Sequence, residues 1–312
     1  MGYRIGSFNM YKFSFQSDDE IKKDISLIAK IILNEKFDIV ALQEVFTPGA
    51  AERLVRELGL GWEKCWDSPK VGRGYSKSTQ EAEGFAFLWN SRTIGLSWSI
   101  AANGRRIAKP HIYNQYRIDR GAGQQELARN PYYARFKPNN CSCEIRLINV
   151  HLRYSKDAAS GLSAAVMRKN EFDILTTSIF QKISDKRYGN NMPSYTIILG
   201  DYNLNLKRDW TTAPYVDEIV EIKDNGNVKR IKTVQHELTS LKMNTDSEGK
   251  GEVRGYANNY DHFSYDEERC GDIRTVTKRI DTVRKYCQDD FAKHRKVISD
   301  HVPIMLAMDL RA

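Results

Sequence analysis

The sequence predicts a layered α/β protein. Short apolar runs rich in β-favouring residues recur along the 312 residues, and each delivers polar side chains at its C-terminal end. A helical pattern separates the run that ends at His151 from the run Ile197–Leu199, an order typical of a β-α-β unit. Because ligands of α/β sheets bind outside the carboxyl ends of strands, these polar strand ends predict one shared site.

The first predicted strand, Tyr3–Asn9, leads into a helix that Ser17 or Asp18 caps and that runs to about Lys36. We expect this helix to pack against a sheet and to carry no chemistry, because four isoleucines form one apolar face. They recur at spacings of four, three and four: Ile21, Ile25, Ile28 and Ile32.

The second predicted strand, Asp38–Glu44, precedes a helix that begins at Pro48, a residue favoured in the first helical turn. A polar loop over 67–82 then leads through Glu83 into the apolar strand FAFLW. The stretch 103–130 shows little apolar periodicity, and we expect it to be a long basic surface insertion.

In the second half of the chain, strand Ile145–His151 is followed by a helix from Gly161. The dipeptide Asn225–Gly226 between alternating runs predicts a β-hairpin. A last helix is predicted over about 280–296, before the final strand. The candidate site draws residues from both ends of the chain, so we expect one domain over 1–312.

The composition fits a globular protein that contacts polyanions. Apolar residues make up 41%, and no run approaches the roughly 18 apolar residues of a membrane helix. The net charge of +8 favours polyanionic partners. Basic residues concentrate between Gly104 and Lys137, where only Asp119 and Glu126 are acidic. They are Arg105, Arg106, Lys109, Arg117, Arg120, Arg129, Arg135 and Lys137.

The five cysteines predict reduced thiols rather than a disulfide framework or a zinc site. Cys141 and Cys143 stand two positions apart, but no second close pair completes a zinc pattern. The N-terminal residues enter a strand directly, without the charged and apolar regions of a signal peptide. We therefore expect a cytoplasmic protein.

The most informative stretch is IILGDYNLN at Ile197–Asn205. Asp201 and Asn203 are two positions apart, so in extended chain their side chains share one face. The same letters also describe an ordinary strand followed by a polar turn. Polar residues at the ends of the other strands favour a site.

Six short motifs in this order resemble the endonuclease/exonuclease/phosphatase superfamily over residues 4–308. They are FN at Phe8–Asn9, LQE at Leu42–Glu44, NVHL at Asn149–Leu152, GDYN at Gly200–Asn203, NYDH at Asn259–His262 and SDH at Ser299–His301. Within the superfamily the sequence is most similar to the pancreatic deoxyribonuclease branch, through Gln43–Val45, Glu83 and Arg129–Pro131. The resemblance implies a four-layered α/β sandwich with two packed β-sheets flanked by helices.

The resemblance also implies a divalent metal site. Glu44 is the best single ligand candidate, because Mg²⁺ prefers carboxylate oxygens. Asn9, Asp201 and Asp300 are candidates to complete the shell, some through water. The expected cofactor is Mg²⁺, with Mn²⁺ and Ca²⁺ as alternatives.

Two histidines are implied to act with carboxylate partners. His151 would be oriented by Glu83, and His301 by Asp261. A carboxylate fixes the imidazole tautomer and raises its pKa, so that each ring can transfer a proton or hold a phosphate oxygen. The resemblance leaves two general bases open, His301 or Asp201. The expected phosphate-binding residues are Asn203, Arg129 and Tyr260.

These features predict a divalent-metal-dependent phosphodiesterase, foremost a DNA endonuclease of low sequence specificity. The alternative is a phosphatase or phosphodiesterase acting on phosphoinositide or phospholipid headgroups. A third hypothesis is a binding module without catalysis. The pancreatic branch reads the DNA minor groove with an Arg and an aromatic residue, whose positions hold Phe46 and Glu81 here. The sequence leaves the oligomeric state open.

Overall fold

A computed structural model describes residues 2–14, 22–69, 83–100, 106–107, 109–113, 118–120, 123–125, 127–152, 164–188, 192–205, 218–224, 227–234, 237–245, 251–271 and 274–310. The strands in chain order are β1 (Gly2–Phe13), β2 (Ile39–Val45), β3 (Trp62–Asp67), β4 (Gly84–Asn90), β5 (Ile94–Leu96), β6 (Ser99–Ile100), β7 (Arg106–Ile107), β8 (His111–Ile112), β9 (Ile118–Arg120), β10 (Gly123–Gln125), β11 (Tyr132–Pro138), β12 (Glu144–His151), β13 (Ser194–Asp201), β14 (Glu218–Asp224), β15 (Asn227–Thr233), β16 (Leu241–Thr245), β17 (Gly251–Tyr256), β18 (Asp261–Asp266), β19 (Arg274–Arg279) and β20 (Ile304–Asp309).

The helices in chain order are α1 (Ile25–Asn34), α2 (Pro48–Leu58), α3 (Ala164–Ile174), α4 (Phe180–Asp185), α5 (Glu267–Gly271), α6 (Thr282–Cys287) and α7 (Phe291–Val297). A π-helical segment, Leu175–Ile179, joins α3 to α4, so these elements form one continuous helical stretch. None of the helices in the described part of the chain is long and apolar enough to cross a membrane.

Two large sheets form the centre of the molecule. The first has the strand order β19-β20-β1-β2-β4-β3, and the second has β14-β15-β18-β13-β12-β11-β5, with β8 also paired to β11. Each contains one parallel pair, β1 with β2 and β12 with β13. Their remaining ladders are antiparallel.

Three apolar clusters separate four layers. The central cluster joins the inner faces of the two sheets and contains Ile5 and Phe87 from one and Leu147 and Phe263 from the other. A second cluster packs the first sheet against α1 and α2, and a third packs the second sheet against the α3–α4 stretch. The fold is therefore the expected four-layered α/β sandwich, with two packed sheets flanked by helices.

Two helix boundaries differ from the sequence prediction. The first helix begins at Ile25, where the Asp24 side chain accepts a hydrogen bond from the Leu27 N–H, whereas Ser17 and Asp18 lie outside the described residues. The single helix predicted over 280–296 is two helices. Gln288 ends α6 in the left-handed conformation (φ 55°), and Asp290 caps α7 through the Lys293 N–H.

The basic stretch 104–137 is not a surface segment throughout. Ile112 and Tyr113 are buried, and β8 pairs with β11 in the second sheet. Arg135 lies on β11 with 8% of its surface exposed and forms an ion pair with Glu144. It is therefore a buried ion-pair residue and not one of the exposed cations that the surface interpretation of this segment assumes.

Candidate active site

The strands that carry the candidate residues converge, although β1 continues past Asn9 to Phe13. His151 and Asp201 face each other in the parallel register of β12 and β13, and Asn9 lies opposite Gln43 in that of β1 and β2. A buried amide pair joins the two sheets beneath the site, because Gln43 Nε2 donates to Asn149 Oδ1 at 2.7 Å. Sequence reasoning gave Asn149 no role, although a buried amide in an apolar strand is a signal of such a bridge.

Gly200 lets the two site strands approach each other. Its φ of 147° is one that L side chains rarely adopt, and a Cβ built there would lie 1.9 Å from the Val150 carbonyl oxygen. The glycine that precedes Asp201 is therefore required by the backbone, and a side chain at this position would displace the strand that carries the carboxylate.

His151 is held by an ion-pair chain. Its Nδ1 contacts Glu83 Oε1, and Glu83 Oε2 lies 2.7 Å from Arg129 Nη2. Arg129 Nη1 also donates to the carbonyl oxygens of His151 and Leu152, at 3.3 and 3.4 Å. Arg129, expected to bind phosphate, thus also fixes the carboxylate that orients His151.

His301 is held through its ring by Asp261 and through its backbone by Ser299. Its Nδ1 lies 2.7 Å from Asp261 Oδ2, while the backbone N–H of His301 donates to Ser299 Oγ at 3.1 Å. Asp261 is fully buried. The carboxylate and the Ser299 turn therefore fix both the ring and the backbone of His301.

The two imidazoles approach one carboxylate oxygen. The Nε2 atoms of His151 and His301 lie 3.6 and 3.7 Å from Asp201 Oδ2. Burial favours the neutral ring, but Asp261 and Asp201 outweigh it, so the pKa of His301 lies well above its usual value. The pKa of His151 is also raised, since Glu83 and Asp201 outweigh both burial and the Arg129 charge.

Asp201 is the centre of the site. Its Oδ1 accepts the Asn203 N–H at 2.8 Å, and its Oδ2 accepts the Asn9 side-chain N–H at 2.9 Å. Asn203 takes a left-handed conformation (φ 47°) and donates its side-chain N–H to the Leu152 carbonyl oxygen. Non-glycine residues held in this conformation are common at functional sites.

The candidate metal ligands form a crowded carboxylate group. Burial, Glu83 and Asp300 all raise the pKa of Glu44, against the opposing effect of His151. Asp300 Oδ1 is buried and has no hydrogen-bond partner among the described residues. A hard divalent cation fits this group, because it would offset the mutual repulsion and engage the orphaned oxygen.

Asn9 takes a different orientation from that of a metal ligand. Its side-chain N–H donates to Glu44 at 3.1 Å and to Asp201, and its oxygen accepts the Tyr11 N–H at 2.9 Å. Within the described residues no group of three His, Cys, Asp or Glu side chains is already arranged around one metal position.

Nine of the predicted site residues line an open cleft of about 620 Å³, whereas Asn9 and Asp261 do not line it. Tyr260, expected to bind phosphate, is one of the nine. The lining residues that sequence reasoning missed include Tyr11, Lys242 and Arg295. Tyr11 follows Asn9 by two positions, and Arg295 lies in the helix predicted over about 280–296, so both had a sequence signal. Phe46 is half-buried, and Glu81 lies outside the described residues.

The chain has the fold of endonuclease/exonuclease/phosphatase proteins. It is similar to truncated TDP2 from Caenorhabditis elegans, with 14% identity over 98% of this chain and 97% of that one and a TM-score of 0.55. It is similar to the endonuclease/exonuclease/phosphatase from Bacteroides vulgatus, with 12% identity over 100% of both chains and a TM-score of 0.51. ANGEL2, a 2',3'-cyclic phosphatase, matches at 12% identity over 98% of this chain and 95% of that one, with a TM-score of 0.54.

No protein-family model matches the chain, and no curated protein sequence matches it. The similarity to solved structures therefore establishes the fold, and the function rests on the geometry of the site.

Proposed function

We propose that the protein is a divalent-metal-dependent phosphodiesterase that cleaves DNA as an endonuclease of low sequence specificity. The observation that carries the proposal is the approach of two carboxylate-paired imidazoles to Asp201 from two sides of an open cleft. Phosphodiester hydrolysis needs an activated water, a donor for the leaving oxygen and positive charge near the phosphoryl oxygens. These side chains and a bound cation would supply all three.

The raised pKa values favour one of the two general bases. An imidazole whose pKa lies well above its usual value is protonated at neutral pH, so His301 fits a donor to a phosphoryl oxygen better than a base. Asp201 is then the acceptor for the proton of the attacking water. His151 donates a proton to the leaving oxygen as the bond from phosphorus to that oxygen breaks and the bond to the water oxygen forms.

The cofactor we propose is Mg²⁺, held by Glu44 and Asp300 with Asn9 nearby. The ion would supply positive charge at the phosphoryl oxygens. Asn203 and Tyr260 would contact the same phosphate, together with the face of Arg129 that lines the cleft. The similarity to Danio rerio TDP2 complexed with a single-strand DNA product supports a nucleic-acid substrate.

The test is a substrate panel with purified wild-type protein and the His301→Ala variant. We expect Mg²⁺-dependent cleavage of plasmid and single-stranded DNA by the wild type, none with chelator, and cleavage slowed by about 10³-fold in the variant. Release of phosphate from a phosphoinositide with DNA left intact would replace the proposal by the phosphatase alternative. Unchanged DNA binding with no turnover of any phosphoester would favour the binding module.

A further inference from the structure

A second, smaller cavity of about 180 Å³ lies on the second sheet and shares no lining residue with the catalytic cleft. Its wall includes four basic side chains, those of Lys109, His111, Arg135 and Lys186. No Asp or Glu is found among the described residues that line it. Arg135 pairs in register with Arg146, five residues before His151 on β12. At about 3.3 Å per residue the cavity is roughly 17 Å from His151 along the strand.

The charges behind the cavity do not balance. Arg135 and Arg146 are 8% and 4% exposed, and both pair with the same carboxylate, that of Glu144, which is 1% exposed. Arg135 Nε donates to Glu144 Oε2 at 3.0 Å, and Arg146 Nε donates to Oε1 at 2.7 Å. Burial raises the pKa of Glu144, but the two guanidinium groups outweigh it, so the carboxylate is ionised. Two buried positive charges face one negative charge.

Arg146 does not line the cavity. Its Nη1 donates to the carbonyl oxygens of Ile183 and Ser184, at 2.6 and 3.0 Å, away from the cavity. Arg135 does line the cavity, and one of its faces stacks on Tyr188 with 3.3 Å between Cζ and the ring centroid, closer than the 5.0 Å of Arg146. Stacking on a ring offsets only part of a buried charge. The excess positive charge is therefore directed at the cavity.

Two lysines add to this charge at the cavity mouth. Lys109 and Lys186 are exposed, and neither forms an ion pair with a carboxylate of the described residues. The Lys186 ammonium lies 5.3 Å from the centroid of the Tyr188 ring, the same ring on which Arg135 stacks. The Tyr188 hydroxyl lies 3.1 Å from the Tyr133 hydroxyl, which fixes the ring at the cavity wall.

We propose that this cavity binds a phosphate group, with Arg135 as the buried anchor and Lys109 and Lys186 at its mouth. Glu144 accepts from Nε and Nη2 of Arg135 and Tyr188 stacks on its face, so the guanidinium is already oriented. Its Nη1 has no partner among the described residues and is the nitrogen that would donate to a phosphate oxygen. The cavity volume is several times the ~30 Å³ that one water occupies in the liquid, enough for a small anion. The phosphate could come from inorganic phosphate or from the backbone of a nucleic acid.

Inorganic phosphate is the first probe, used with metal-free full-length protein in calorimetric titration. The variant is Lys109→Ala/Lys186→Ala, which removes two exposed side chains and leaves the buried ion pairs intact. The control is Lys30→Ala/Lys182→Ala, which removes two exposed lysines that do not line the cavity. We expect at least a 10-fold weaker phosphate affinity at one site in the variant and wild-type affinity in the control. Equal titrations for variant and wild type would overturn the proposal.

A single-stranded oligonucleotide distinguishes the two sources of phosphate. If the cavity holds a backbone phosphate, the slope of log K against log salt should fall by about 0.7 in the variant, the change for one lost contact. If it holds free phosphate, the slope stays unchanged while the phosphate titration loses its site. The measurement needs no turnover, so a protein that fails to cleave DNA still tests this proposal separately.

Discussion

His151 and His301 have the same geometry around Asp201, and they differ in what lies behind their carboxylates. Asp261, behind His301, is fully buried, and its second oxygen has no hydrogen-bond partner among the described residues. Glu83, behind His151, shares its charge with Arg129 at 2.7 Å. Arg129 opposes protonation of His151, whereas no cation has this effect among the main influences on His301. The neighbouring carboxylate raises the pKa of each imidazole, and the surroundings of that carboxylate determine the size of the increase.

The largest expected effect is the loss of an imidazole. We expect His301→Ala and His151→Ala each to lower kcat by about 10³-fold, because proton transfer and charge donation typically contribute 10²–10⁴-fold. The double variant should be little worse than the single ones, since the residues act as a unit. Single-turnover cleavage of a labelled oligonucleotide measures the rates, and retained oligonucleotide binding is the control. Near wild-type turnover by His301→Ala would remove His301 from the mechanism.

A third buried imidazole shows what burial does without a carboxylate contact. The Nδ1 of His294 lies 2.7 Å from the Ser299 carbonyl oxygen, and its Nε2 lies 2.7 Å from Thr282 Oγ1. Burial lowers the pKa of His294 to about 4. The pKa of His294 is lower in the folded state than its unfolded value of about 6.5, so below pH 6.5 the unfolded chain binds a proton that the folded protein does not. The free energy of unfolding is therefore highest above pH 6.5 and decreases as the pH falls towards 4.

That loss should amount to about 3 kcal/mol, from roughly 2.5 pKa units at 1.36 kcal/mol each. Urea unfolding at pH 7 and pH 4.5 measures it. His294→Asn should be less stable than the wild type at pH 7 and should show a smaller acid dependence. The exposed His111, replaced by Ala, is the matched control and should leave the pH dependence unchanged. An identical acid dependence in His294→Asn and wild type would contradict this assignment.

Removing each carboxylate tests the comparison directly. Asp261→Asn and Glu83→Gln should each lower kcat by about 10²-fold, because the imidazole loses both its tautomer and its charge partner. The alkaline limb of the pH–rate profile should move to lower pH in both variants. Glu83→Gln also leaves Arg129 unpaired beside His151, which should lower the pKa of His151 further. Glu52→Gln, at an exposed carboxylate, is the control. An unchanged pH–rate profile in Asp261→Asn would show that Asp261 does not keep His301 charged.

The smallest expected effect is the change that an Arg129 substitution makes to the pKa of His151. Arg129→Met removes the charge that opposes protonation of His151, so the pKa of His151 should rise and become more like that of His301. NMR titration of the imidazole signals in metal-free protein measures both rings at once. Arg129→Lys keeps the charge and should leave the His151 titration close to wild type. A shift of His301 instead would mean that the two pairs are not independent.

Several residues of the candidate site were predictable, because an apolar run followed by polar residues indicates the end of a strand. Apolar runs that lead into Glu44, His151 and Asp201 predict carboxyl ends of strands, and the structure brings these three residues to one cleft. Asn9 lies inside β1, which continues to Phe13, and it donates to Asp201. The break at Gln288 was not predictable, because a left-handed non-glycine residue leaves no signal in apolar periodicity. The burial of Arg135 was also missed, since a count of basic residues does not show which of them face a carboxylate.

The sequence by itself determined the alternation of strands and helices, the polar strand ends and the residue types at the site, because these follow from local periodicity and side-chain chemistry. The family resemblance implied which carboxylate orients which imidazole, no local pattern did, and the tertiary structure makes the contacts. Glu83 and His151 are 68 residues apart, and Asp261 and His301 are 40 apart. Their contacts depend on strand register and on the packing of two sheets, and no local pattern encodes either of these.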